Sequence, residues 1–366
     1  TATLTLADVT ATAGNNGASM IDNYGTLTIT SGTYTGGLDT VKNEPNAKLT
    51  INGGAFTLTK GNSDGFTGVV FNYGELTISG GEFIQSDKNA PYGQAQVIHT
   101  DKNSSTVPST VISGGMFKNL CSKTTAWTVR ETNAAKGATQ VSGGAFNKGI
   151  TEGYCADGFI PTKNADGTYG VKEGHYVAQV GSKKYETLAD AIRLATKGKT
   201  IQLLTDTTEN ITIAASKKIT LDLNGRTLNG GTGTAKAAIL NKGTVTITDT
   251  SADKTGTIKR DDQGIENEKS YYVIDNNGTM VIDQANVVNN SGIKGSSLIR
   301  NGGVNTVSSL TINGGTLTVV SSGDCIDSNG DLTISGGTLD LTCNGAADTA
   351  LDVDGTYTHS GGTVTT

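Results

Sequence analysis

One short phrase, a strand, two glycines and a second strand, is written into this chain again and again. Its clearest copies are Leu49-Thr50-Ile51-Asn52-Gly53-Gly54-Ala55-Phe56, Leu76-Thr77-Ile78-Ser79-Gly80-Gly81-Glu82-Phe83, Leu310-Thr311-Ile312-Asn313-Gly314-Gly315-Thr316-Leu317 and Leu332-Thr333-Ile334-Ser335-Gly336-Gly337-Thr338-Leu339. Weaker copies occupy 27–34, 110–117, 139–146 and 357–364. A unit this small cannot bury an apolar face by itself, so each copy must stack on its neighbours, and a solenoid is expected.

Inside the phrase Leu and Ile point one way and the intervening Thr the other, which is the period of a strand. Gly-Gly turns the chain, because residues without Cβ tolerate the positive φ of a tight corner. Upstream lies a further motif, apolar-x-Asn-x-Gly, as in Ile21-Asp22-Asn23-Tyr24-Gly25 and Ile239-Leu240-Asn241-Lys242-Gly243. One repeat is therefore strand, Asn-Gly corner, strand, Gly-Gly corner, strand. The second corner glycines fall at Gly54, Gly81, Gly115 and Gly144, then Gly315, Gly337 and Gly362, in steps of roughly 22 to 34 residues. A left-handed hexapeptide solenoid would keep a strict six-residue period, and none is visible. The expectation is an all-β chain forming a right-handed parallel β-helix, the hand following from the crossover rule.

Stacking gives each position a column. Asn23, Asn72, Asn241, Asn276 and Asn301 share one corner slot and read as a ladder of buried amides bonded from coil to coil. Tyr34, Phe56, Phe83, Phe117 and Phe146 share another, which reads as an aromatic stack in the core rather than a cofactor box. The second half puts Leu317, Leu339 and Val364 there instead.

Composition narrows the partners. With 28 basic against 34 acidic residues and a net charge of −6, the chain has no Lys/Arg cluster and no footprint for nucleic acid. No run of about 18 apolar residues exists, so no membrane insertion is expected. Cys121, Cys155, Cys325 and Cys343 lack metal-ligand spacing, and their disulfide state stays open. No cofactor or metal is expected. The chain starts inside a repeat at Leu4-Thr5-Leu6 and stops inside one at Val364-Thr365-Thr366, as a fragment of a longer exported protein would.

Residues 151–200 interrupt the pattern. Tyr154-Cys155-Ala156-Asp157-Gly158-Phe159 and Asn164-Ala165-Asp166-Gly167-Thr168-Tyr169-Gly170-Val171 read as a closing strand pair with an Asp-Gly turn. Leu188, Ala191, Ile192 and Ala195 then recur at helical spacing, Thr187 and Asp190 can form a capping box, and Gly198 supplies a stop. Two domains follow, 1–172 and 173–366, the second opened by a capping helix over about 187–197 that covers the apolar end of its stack.

The stretch Lys184-Tyr185-Glu186-Thr187-Leu188-Ala189-Asp190-Ala191 through Leu221-Asp222-Leu223-Asn224-Gly225-Arg226-Thr227-Leu228 resembles the capped pectin-lyase-like repeat domains of surface proteins from anaerobic gut bacteria. The segment 154–171 looks like the end of such a domain, and 324–337 is similar to modules labelled carbohydrate-binding. The resemblance spans nearly the whole chain. It implies a β-helical, adhesin-like piece of a cell-surface or secreted bacterial protein, and it is specific for architecture rather than ligand.

β-Helices also include polysaccharide lyases and glycosidases, which need converging carboxylates and a basic group. The best such cluster is Lys259-Arg260-Asp261-Asp262 with Arg300, against which stands a solvated charged loop. Asp275, Asp327 and Asp352 share a slot and form a weak acidic column. His99, His175 and His359 are scattered. Catalysis is not expected.

Binding is the better reading, and its residues should lie on the insertions at 85–108, 119–136 and 251–270. Tyr92 and Trp127 sit on the first two, and Tyr24 and Tyr73 occupy one outward corner slot as an exposed aromatic pair. These four are the candidate ligand-binding residues, because aromatic faces stack on sugars and anchor protein interfaces. The expected function is a non-catalytic recognition module for a host protein (mucin, immunoglobulin or matrix protein) or a glycan. The alternatives are a carbohydrate-active enzyme and a passive stalk.

Overall fold

Alternating strands separated by glycine corners can satisfy their backbones only against the next copy of themselves, and they do so in three parallel sheets in the first half of the chain. The computed structural model describes residues 2–14, 17–61, 65–91, 95–103, 106–134, 137–230, 236–261, 272–289, 297–303, 306–321 and 323–366. The chain is all-β and divides into two units, Thr1–His175 and Tyr176–Thr366.

In unit 1 every third strand pairs. The leucine sheet runs Thr3–Leu6, Thr26–Ile29, Lys48–Ile51, Glu75–Ile78, Ser109–Ile112 and Thr139–Val141. The aromatic sheet holds Val9–Ala13, Gly32–Gly36, Ala55–Leu58, Glu82–Gln85, Met116–Asn119 and Ala145–Phe146. The ladder sheet holds Ile21–Asn23, Val41–Asn43, Thr67–Asn72, Ala95–Asp101 and Val129–Thr132. These long parallel sheets are compatible with the expected β-helix.

Registers stay in phase, so like stacks on like. Leu27, Leu49 and Leu76 are partners, as are Phe56, Phe83 and Phe117. Ring centroids from Tyr34 through Phe56, Phe83 and Phe117 to Phe146 are 4.9, 4.9, 5.0 and 4.7 Å apart. That is the spacing of neighbouring strands, so the backbone pitch itself sets the rings in contact. Gly81, with φ +109, turns into this column, and a Cβ there would stand 3.2 Å from the Phe83 ring.

The ladder is present and longer than the motif suggests. Asn23 Nδ2 donates to Asn43 Oδ1 at 2.8 Å, and Asn43 Nδ2 to Asn72 Oδ1 at 2.8 Å. Asn72 continues to Thr110 Oγ1 at 3.0 Å, which shares a 2.6 Å bond with Thr100. In unit 2 Asn241 donates to Asn276 and Asn276 to Asn301, both at 2.7 Å, and Asn301 to Ser328 Oγ at 2.9 Å.

Two expected insertions turn out to contain ladder-sheet strands, Ala95–Asp101 and Val129–Thr132. Their ladder slots carry Thr100 and Glu131 in place of Asn, which hides the motif. The third contains Thr257–Arg260, a strand paired with Asn286–Asn289. Phe159–Lys163 and Tyr169–Glu173 close unit 1 as an antiparallel hairpin whose Tyr169 is the register partner of Phe146.

Unit 2 begins with Ala178–Val180 paired antiparallel to Lys183–Tyr185 and to Lys199–Leu203. From there two rows of parallel strands belong to one sheet, because Asp331–Cys343 runs unbroken through its Gly336-Gly337 corner. A ladder sheet of Ile211–Ile213, Ile239–Asn241, Ile274–Asn276, Ile299–Asn301, Ile326–Ser328 and Leu351–Val353 stands beside them.

The helix is Leu188–Leu194, shorter than the expected 187–197. Thr187 Oγ1 accepts from the Asp190 N–H at 3.1 Å, while the Asp190 carboxylate turns to Arg193 at 2.6 Å. The remaining amides of the first turn are satisfied from afar: Glu209 takes the N–H groups of Leu188 and Ala189 at 2.8 and 3.0 Å. Gly198 is not the stop. Lys217 Nζ caps the Arg193 and Ala195 carbonyls at 2.8 and 2.7 Å, and Ala195 is already extended at ψ 133. All four cysteines are free thiols. Among the described residues no helix is long and apolar enough to cross a membrane.

Candidate functional site

The ladder sheet of unit 1 turns its Asn residues inward, so the residues before and after them face outward. Register places Asp22, Lys42, Phe71, His99 and Arg130 in one outward column. Tyr24, Glu44 and Tyr73 follow the ladder Asn on successive strands, with the Glu44 N–H on Asn23 O and the Tyr73 N–H on Asn43 O.

Tyr24 and Tyr73 are therefore not a pair. The strand Val41–Asn43 and its Glu44 lie between them. That strand ends in Asn43-Glu44-Pro45-Asn46-Ala47, where Asn46 takes φ +66 in place of a glycine, so the corner does not show the motif. Tyr24 is 75% exposed and Tyr73 half-buried. Trp127 is 42% exposed just ahead of Val129–Thr132, its N–H held by Gln96 Oε1 at 2.8 Å and its carbonyl by Asn119 Nδ2 at 2.8 Å. Tyr92 lies outside the described residues.

Around Tyr73 the structure gathers a set that periodicity did not single out. The Tyr73 ring lies 4.9 Å from that of Phe71, and Lys42 Nζ stands 5.6 Å from the Tyr73 centroid. His99 contacts both Phe71 at 4.4 Å and Phe66 edge-on at 5.0 Å. The Arg130 guanidinium carbon lies 4.3 Å from the Phe66 centroid, a cation–π stack. Glu44 holds Lys42 at 2.7 Å.

His99 is fully buried, its Nε2 2.7 Å from Thr132 Oγ1 and its Nδ1 without a hydrogen-bond partner. Burial, aided by Arg130, pushes its pKa down to about 3, so the imidazole is neutral. Burial raises the Tyr73 phenol, with Asp101 adding to it. Burial opposes the Lys42 ammonium, but the Glu44 bond outweighs it and the pKa rises. Phe66 and Arg130 lay on segments without the repeat phrase, and only the strand register brings them together.

In unit 2 the candidate catalytic cluster comes apart. Arg260 is fully buried and Lys259 faces out to Asp261 at 2.6 Å. Asp262 lies outside the described residues. Arg300 belongs to another sheet, where Asp275 grips it through Nε at 3.1 Å and Nη2 at 2.6 Å. The acidic column is Asp275, Arg300, Asp327 and Asp352, so a guanidinium separates the first carboxylate from the others. Tyr272 lies over Arg300 at 5.1 Å and donates its hydroxyl to Asp327 at 3.3 Å. Burial raises the Asp327 pKa. Among the described residues no group of three or more His, Cys, Asp or Glu is placed to hold a metal ion.

Comparison with protein-family models, with curated proteins and with solved structures finds no match to this chain.

Proposed function

We propose that this chain is a non-catalytic recognition module built as two right-handed parallel β-helices, the second capped by the helix Leu188–Leu194, and that it belongs to an adhesin-like bacterial protein at the cell surface or secreted. Its ligand is a host protein, such as mucin, immunoglobulin or a matrix protein, or a glycan. The in-phase pairing of every third strand and the two amide ladders support the coiled architecture. The hand rests on the crossover rule.

The observation that carries the functional reading is the outward face of the unit 1 ladder sheet. Tyr73, Phe66, Lys42 and Arg130 stand there, partly exposed, and the Asn ladder pins from behind the strands Val41–Asn43 and Thr67–Asn72 that carry Lys42 and are flanked by Phe66 and Tyr73. Aromatic and guanidinium groups on a rigid support lose little entropy on binding, which is the character of a recognition hot spot.

The test is a binding screen of the chain against a glycan array, mucin, immunoglobulins and matrix proteins. A saturable ligand is expected, with affinity lowered about tenfold or more by Tyr73→Ala. Trp127→Ala reports whether the neighbouring loop shares the surface. No binding to any of these surfaces would overturn the reading in favour of a stalk.

A further inference from the structure

Both units set an aromatic side chain over an arginine on the outer face of the ladder sheet, and they differ in what fills the guanidinium's fork. In unit 2 Tyr272 precedes the strand Ile274–Asn276 and covers Arg300 on the next strand. Asp275, the register partner of Arg300, occupies the fork with two charge-assisted bonds. In unit 1 Phe66 precedes Thr67–Asn72 and covers Arg130. The register partner of Arg130 on the preceding strand is His99, a neutral, buried imidazole turned to Thr132.

Arg130 thus has the stack and, among the described residues, lacks the carboxylate. Among the described residues no acidic group makes an ion pair with it. Neighbouring Glu131 is committed elsewhere, accepting the Thr139 N–H at 2.5 Å. The side chain is partly exposed, and a guanidinium held over a ring keeps its planar fork preorganised for a carboxylate.

We propose that Arg130 takes the carboxylate of a glycan that ends in a single acidic sugar of the sialic acid type, bound against Phe66 on the outer face of the ladder sheet. The proposal rests on the recognition-module reading and names its ligand class. One carboxylate rather than many follows from the surroundings. Asp22, Glu44 and Asp101 lie on the same face towards the earlier strands of the sheet, and Lys42 is already neutralised by Glu44, so a polyuronate running from Arg130 along those strands would meet repulsion. A sugar rather than an acidic peptide follows from the partly exposed ring of Phe66 beside the cation, with Tyr73 further along the same face.

The test is calorimetric titration of the full chain with 3′-sialyllactose, lactose, an oligogalacturonide and an oligoglutamate peptide. It is repeated on Arg130→Gln, Arg130→Lys and His99→Asp, with thermal unfolding confirming that each variant is folded. Sialyllactose is expected to bind, and removing the acidic sugar or making Arg130→Gln should each lower affinity about ten- to a hundredfold. Arg130→Lys should retain part of it. His99→Asp recreates the unit 2 pair and should abolish binding with Arg130 still in place. Equal binding of lactose, unchanged affinity in Arg130→Gln, or preference for the oligogalacturonide or the peptide overturns the proposal. If a protein or neutral glycan from the screen binds and ignores Arg130→Gln, the recognition reading stands and this inference falls. If nothing binds, both fall.

Discussion

A Cβ on Gly230 would stand 3.1 Å from Cγ of Arg260, so it is the missing side chain at Gly230 that lets the arginine stem lie wholly inside unit 2. Ala238 closes the same space, its Cβ 3.2 Å from that position. A strand that reads as a charged surface loop is in this way turned with one cation in and the next, Lys259, out.

Gly230→Ala should therefore destabilise unit 2 by about 1–3 kcal/mol, the usual cost of overpacking a closed site. Denaturant unfolding measures it. Unchanged stability would mean that the Arg260 stem has room to move aside.

The Asn72 amide is a junction. Its Oδ1 accepts from Asn43 Nδ2 at 2.8 Å and from the Gly74 N–H at 3.0 Å, and its Nδ2 donates to Ser109 O at 2.9 Å. Asn72→Ala strands several buried groups at once and should cost at least about 2 kcal/mol. The exposed Asn52, bonded to Ser79 Oγ at 2.9 Å, is the matched control, and Asn52→Ala should change stability by less than about 0.5 kcal/mol. Equal losses at the two positions would refute a special role for the ladder.

Strand positions and inward columns were legible because a period-two pattern with in-phase stacking writes the same residues into the same slot, as Phe56, Phe83 and Phe117 show. Positions where a slot is filled by a different residue were not. Asn43 lacks the following glycine, Thr100 and Glu131 stand where Asn is expected, and Arg260 sits on the inner face. The candidate site suffered most, since Phe66, His99 and Arg130 come from three separate passes and meet only through register. Of the aromatics chosen from the sequence that lie among the described residues, Tyr24, Tyr73 and Trp127, Tyr73 alone falls within that cluster.

Asp39 should make stability depend on pH. Its buried carboxyl accepts the Gly68 N–H at 2.8 Å and the Ser19 hydroxyl at 3.3 Å, and burial raises its pKa from 3.8 to about 7. A carboxyl whose folded pKa is raised binds its proton more tightly when folded. Its contribution is full below 3.8 and is lost as pH rises through about 7. His99 acts in the opposite sense: with a pKa lowered from 6.5 to about 3, its contribution is present above 6.5 and lost as pH falls. Between roughly pH 4 and 6.5 the two offset each other. Asp39→Asn should unmask the His99 dependence, so that unfolding free energy climbs with pH by up to about 1.4 kcal/mol per unit. A pH profile identical to that of the unsubstituted chain would sink this assignment.

Phe83 sits between Phe56 and Phe117, with ring planes within 5° of both. Phe83→Ala opens a gap in a closed column and should cost about 3–5 kcal/mol, whereas Phe83→Leu, the residue type used at the matching position Leu339, should cost appreciably less. Because each pass touches only its neighbours, the loss should be local. Hydrogen exchange should quicken in Lys48–Ile51, Ala55–Leu58, Glu75–Ile78, Glu82–Gln85, Ser109–Ile112 and Met116–Asn119, and stay unchanged in the unit 2 strands. Uniform acceleration through both units would instead mean that the chain unfolds as one cooperative block, and the nearest-neighbour picture of its stability would have to be given up.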